Sequence, residues 1–260
     1  MLKSQLQTPV RFVCSAFVVA VVIALTGAPT HARERKGAGA SPAVAAATTS
    51  SLRAAGWQHA QLGSLDPHVF NLALNAAGCA VQAGKASVPT TLTVIDYSKP
   101  STQKRLWVVD LRTHALLFEE LVAHGQGSGN NIATRFSNDA ETHSSSIGLY
   151  AAKDAYLGKN GYSLRLDGLD TGFNDRAMER AIVIHGAAYV SEEIARAQGR
   201  LGRSWGCPAL RPEVAHDLID RLKDSGLIFA YYPDPRWLAS SPFLHNCYGN
   251  SGAAPVVATG

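Results

Sequence analysis

Apolar and polar positions change rhythm several times along the chain. Phe12 to Ala28 (FVCSAFVVAVVIALTGA) is an almost unbroken apolar run, with Lys3 and Arg11 before it. From Arg33 to Gly63 the chain is rich in Ala, Ser, Thr and Gly (KGAGASPAVAAATTSS) and shows no period. Such a composition buries no core and predicts a flexible tether. LDPHVFNLALNAAGCAVQAG then follows a helical period: Asp66 can cap, Pro67 suits the first turn, and Val69, Leu72, Ala73, Ala76 and Ala80 share a face. From Thr90 the period falls to two. TLTVIDYS, RLWVVDLRT, ALLFEELVAHG, SIGLYAA, YSLRLDG, RAIVIHGAAYV and LIFAYYP read as strands. A polar stretch from Val122 to Ser146 interrupts them, longer than connections in compact domains usually are. Two short helices are predicted, SEEIARAQG with Ser191 as cap and PEVAHDLIDRLKDSG opening at Pro212. Many strands with few helices predict a mostly β fold, largely antiparallel, with peripheral helices.

The 260 residues are 46% hydrophobic and 17% charged, a globular composition. The N-terminal run is shorter than the ~20 residues a spanning helix needs, and Thr30 and Ala32 occupy the small-residue positions of a cleavage site. Residues 1–32 therefore read as a signal peptide, and a membrane tether follows only if that segment stays uncleaved. Cys14 precedes most of the run, which argues against a lipoprotein anchor. The division is then 1–32 signal peptide, 33–63 linker, 64–248 folded domain and 249–260 a loose tail. Loss of Lys3 and Arg11 takes the formal charge from +4 to +2, too small an excess to argue for nucleic acid. The expected location is the periplasm or outside the cell.

Cys79, Cys207 and Cys247 remain after cleavage. An odd number leaves at least one thiol unpaired, and in an oxidising compartment a persistent free thiol suggests use. Cys79 and Cys247 either pair or stay free. Cys207 stands in GRSWGCPAL, among glycine and arginine rather than in an apolar run. A thiol needs a base, and His185 ends the apolar strand AIVI immediately before Gly186. In this reading His185 takes the thiol proton, the Gly186 carbonyl holds the other ring nitrogen, and the N–H groups of Gly206 and Cys207 receive the oxyanion. The alternative is a structural histidine and a cysteine merely 22 residues apart. No H-x-H, H-E-x-x-H or C-x-x-C pattern joins His124, His143, His185 and Cys207 into a metal site, so no metal is expected.

IVIHGAAYV followed by GRSWGCPAL resembles the L,D-transpeptidase (YkuD-type) catalytic domain, in its Gram-negative murein branch. DYSKPS, VAHGQGSG, FSN, SSSIGLY and GYSLRLDGLD extend the resemblance over Thr90 to Pro233. It implies a YkuD-like β-sandwich, with Cys207 as the acylated nucleophile and His185 as its base. It implies a cell-wall-associated enzyme without a cofactor, a peptidoglycan tetrapeptide stem as donor, a 3→3 crosslink as product, and acylation of Cys207 by carbapenems. Ser204, Trp205, Arg203, His124 and Tyr150 become candidate substrate contacts. Two positions depart from the pattern: Trp205 stands where the family has histidine, and Pro208-Ala209 where it has a hydrophobe and an arginine. Arg203 and Arg211 are the nearby cations that could meet an anionic stem. Release of the acyl group to water, as in an L,D-carboxypeptidase, and a non-catalytic wall-binding protein are the rival readings.

Overall fold

The computed structural model describes Trp57, residues 62–245 and Cys247. The expected signal peptide and tail lie outside the described residues, as does most of the linker. Trp57, inside that linker, is 5% exposed, with its ring against Phe70 and His114 at centroid distances of 4.9 and 4.3 Å. A lone tryptophan among alanines carries no period, so packing here begins earlier than the sequence suggested.

Helix α1 (Pro67–Gln82) starts where Asp66 accepts hydrogen bonds from the His68 and Val69 N–H groups, with a proline in the first turn. It buries Val69, Phe70, Ala73, Leu74, Ala77 and Ala80 on the sheet. Its Cys79 is bonded to Cys247, across 168 positions of sequence.

The strands are β1 (Thr91–Asp96), β2 (Leu106–Asp110), β3 (Ala115–Glu120), β4 (Val122–Ala123), β5 (Gly148–Gly158), β6 (Gly161–Gly168), β7 (Val183–Gly186), β8 (Ala209–Leu210) and β9 (Leu227–Tyr231). They form one sheet in the order β3-β2-β1-β9-β5-β6-β7-β8-β4. The β1–β9 and β7–β8 pairs are parallel and the other named pairs antiparallel, so the fold is mostly β as expected. ALLFEELVAHG was read as one strand. It divides at Leu121 into β3 and β4, which stand first and last in the strand order. A single residue between the two extremes requires the sheet to curl until its ends approach. Leu121 is itself buried, in a small cluster with Val190, Leu201 and Ala209.

Strand β5 runs six residues beyond SIGLYAA, through KDAYLG to Gly158. Lys153, Asp154, Leu157 and Gly158 are exposed and Ala155 and Tyr156 half-buried, a paired pattern with no alternation to mark it. Helices α2 (Glu192–Gln198), α3 (Pro212–Leu222) and α4 (Pro235–Ser240) complete the fold. Ser191 caps α2 and Gly199 ends it at φ +66°, where a side chain would be strained. Asp234 caps α4, a helix too short for a period to announce. The segment 169–181 runs in turns from β6 to β7. It is fixed by buried Asp170, which accepts from the Leu149 N–H at 2.6 Å, the Trp237 indole at 3.3 Å and the Ser241 hydroxyl. Among the described residues no helix is long and apolar enough to cross a membrane.

Candidate active site

The parallel pairing of β7 with β8 joins the two motifs. His185 lies opposite Ala209, so Cys207, two residues before Ala209, enters β8 beside the histidine strand. Both side chains line one cavity of about 410 Å³, together with Lys159, Asn160, Arg180, Ala181, Tyr189, Arg203, Ser204 and Trp205. A second hollow of about 300 Å³, lined from Gly84–Ser87 and Asp224–Leu227 among others, contains neither histidine nor cysteine.

His185 is 6% exposed, and its Nδ1 lies 2.9 Å from the Gly186 carbonyl oxygen. A carbonyl only accepts, so Nδ1 carries the proton and Nε2 keeps a lone pair. Burial holds the imidazole below its ordinary pKa, and the Gly186 carbonyl opposes this in part. Cys207 is the free cysteine among the described residues. The Val183 N–H donates toward its Sγ at 3.5 Å, and the thiol reaches the Ala181 carbonyl at 3.9 Å. Burial pushes the thiol up, while the Val183 N–H and the Arg180 charge pull it down.

The loop around Cys207 is closely tied. Ser204 Oγ donates to the Cys207 carbonyl at 2.6 Å and accepts from the Gly206 N–H at 3.1 Å. That second bond revises the expected oxyanion site: the Gly206 N–H is committed to Ser204, because the turn at Gly206, with φ +119°, folds back on it. Ser145 Oγ donates to the Gly206 carbonyl at 2.9 Å and accepts from the Gly125 N–H at 3.0 Å. Gly206 also passes close to its neighbours; a Cβ there would stand 2.9 Å from the Ser144 carbonyl oxygen.

The remaining candidates fall into two groups. Ser204, Trp205 and Arg203 line the cavity. Trp205 is 68% exposed and stacks on His143 at 4.7 Å, with the rings 10° from parallel. Arg203 donates to the Gly129 carbonyl at 2.9 Å and to the Asn130 side chain at 3.2 Å. The others lie away from the cavity. His124, expected at the cleft, is fully buried, with Nδ1 2.8 Å from the guanidinium of buried Arg105. Burial and then Arg105 lower its pKa to about 4, so this ring is neutral. Its Nε2 has no hydrogen-bond partner. Tyr150, expected as a substrate contact, is 3% exposed and donates to the Ser146 carbonyl at 3.0 Å. It points inward because β5 faces the core at that position. Arg211 is held by Glu120 through bonds of 2.9 and 2.8 Å.

Sequence reading missed Arg180 and Tyr189. Both belong to the quoted run RAIVIHGAAYV, and their nearness in sequence to His185 was the signal available. Among the described residues no group of three or more His, Cys, Asp or Glu is placed to hold a metal ion.

A curled, mostly β fold with a Cys–His cleft between parallel strands agrees with the family comparison. Residues 61–231 match the L,D-transpeptidase catalytic domain, and the chain belongs to that family. The search of curated proteins found no match. Similar solved structures include an L,D-transpeptidase from Mycobacterium smegmatis, with 13% identity over 55% of this chain and 59% of that one, at a TM-score of 0.35. An L,D-transpeptidase from Mycobacterium tuberculosis gives 12% identity over 55% and 58%, at 0.32. The helical cell shape determining protein Pgp2 from Campylobacter jejuni gives 12% identity over 60% and 55%, at 0.36. The chain thus spans 55–59% of the length of these three structures.

Proposed function

We propose that this chain is a cysteine L,D-transpeptidase acting on peptidoglycan tetrapeptide stems at the cell wall. The observation that supports it most directly is that Cys207 and His185 line the same cavity, with the imidazole held at Nδ1 so that Nε2 is the free base. The thiol proton passes to His185 Nε2 as sulfur attacks the carbonyl carbon of the L,D bond. Charge forming on the carbonyl oxygen meets the Cys207 N–H. The tetrahedral species collapses with loss of the terminal D-alanine, whose amine takes the proton back from the imidazolium. The thioester then transfers to an amine of a second stem, giving a 3→3 crosslink. Of the cavity's three cations, Lys159, Arg180 and Arg203, the first and last suit the carboxylates of the donor, and carbapenems would acylate the same sulfur.

One observation favours a second reading, L,D-carboxypeptidase activity. The lining residues include these three cations and no Asp or Glu, so an incoming ammonium group finds no counter-charge there. Water meets no such obstacle. Incubation with disaccharide-tetrapeptide and mass spectrometry of the products separates the two. Crosslinked dimers support transpeptidation, tripeptide alone supports hydrolysis, and unchanged substrate overturns both.

A further inference from the structure

Arg180 ends the turn segment that leads into β7. Arg180 lines the cavity together with Cys207. It donates from Nη1 to the Ser137 carbonyl at 2.8 Å and to Ser146 Oγ at 2.5 Å, and from Nη2 to the Ser144 carbonyl at 2.7 Å. All three acceptors are uncharged. Among the described residues no carboxylate lies within ion-pair distance of Arg180, and Asp139 is taken by Arg176 at 3.5 Å. A partly buried guanidinium held only by uncharged oxygens keeps its full positive charge for an anion that forms beside it. The anion that this site generates is the thiolate of Cys207. The Gly206–Cys207 turn lies over the guanidinium: a Cβ on Gly206 would stand 3.4 Å from Arg180 Nη2.

Other ionisable groups facing the sulfur are poor substitutes. His185 of β7 is kept neutral at rest by burial. Tyr97, just beyond β1, and Tyr189, beyond β7, are each pushed up to about 12 by burial and carry no charge. Lys159 sits on the exposed β5–β6 turn, and Arg203 is engaged by Gly129 and Asn130. We propose that Arg180 is the fixed counter-charge of the Cys207 thiolate, a positioning residue that acts on the substrate through the sulfur. When the proton leaves Cys207 for His185, the sulfur's new charge faces a guanidinium already oriented by three oxygens. No side chain needs to reorganise. As the C–S bond forms, that charge passes from sulfur to the carbonyl oxygen, and it leaves the oxygen when the tetrahedral species collapses to the thioester.

This rests on Cys207 being the nucleophile, and the test keeps the two claims apart. Alkylation of Cys207 by iodoacetamide, a neutral reagent, is followed against pH by mass spectrometry of the Cys207 peptide. Wild type is compared with Arg180→Gln, Arg180→Met and Arg180→Lys; methionine preserves the packing of the arginine stem if the amide does not fold. Loss of the charge is expected to raise the midpoint by about one unit and slow alkylation about tenfold at pH 8. Lysine should restore most of the difference. Midpoints equal to wild type in the folded neutral variants overturn the role of Arg180. A lysine variant shifted as far as the neutral ones also overturns it, since charge would then not be the cause. A wild-type Cys207 that resists alkylation at every pH removes the nucleophile itself, and with it the proposed function.

Discussion

Burial acts on Cys207 and His185 in opposite senses with one result. It raises the thiol pKa and lowers that of the imidazole, so the resting pair is neutral rather than a preformed ion pair. Activity then requires an unprotonated His185 that accepts the proton during attack. Because the folded-state pKa of this histidine lies below its ordinary value, its base form persists as pH falls. The acid limb of kcat/KM is expected below about pH 6.5, the unperturbed imidazole value. A limb above that value, in a pH–rate profile of D-alanine release, would contradict the assignment. At this scale the sequence was legible where a residue's neighbours in the chain are also its neighbours in space. His185 and the Gly186 carbonyl are adjacent, and Cys207 lies in a turn built from Ser204 to Gly206. His124 misled because a glycine-rich context says nothing of depth: its ring turns inward to Arg105, a partner 19 positions away. Arg180 was not legible because its three oxygens come from 34 to 43 positions upstream.

The Cys207 loop is held from below by the stretch after β4 and by the serines before β5. Gly125 forms a parallel bridge with Ser204, and a Cβ at Gly125 would meet the His143 carbonyl oxygen at 2.3 Å and the Gly206 nitrogen at 2.8 Å. Both contacts are backbone, so neither yields cheaply. Gly125→Ala is expected to displace the Cys207 turn by a fraction of an ångström to about 1 Å, and to lower kcat/KM about 10²-fold. The measurement is turnover of tetrapeptide by folded variant, with circular dichroism to establish the fold; unchanged turnover would mean the loop is not supported there. The polar stretch Val122–Ser146, marked in the sequence only by its length, supplies this support. Its role was hidden in sequence because its contacts are backbone bonds and hydroxyls, which leave no period. The outer half of β5 was hidden for a related reason: its exposed and half-buried residues come in pairs rather than alternating.

Across the whole molecule, Cys79 on α1 and Cys247 near the end of the described residues tie the two ends of the domain together. A bond across 168 positions restricts the unfolded chain over nearly its entire domain length. Cys247→Ala should therefore lower unfolding stability by about 3 kcal/mol, read from urea titration, while leaving the chemistry of Cys207 intact. Equal midpoints for variant and wild type would show that the bond adds no stability. The curled sheet has a different consequence, centred on Leu121. Because the strands at either extreme of the ladder are successive in the chain, their free rims are leashed to each other by one buried leucine. Neither rim can splay away from the other without unseating that leucine, so opening the curl exposes Leu121 and the small cluster it belongs to.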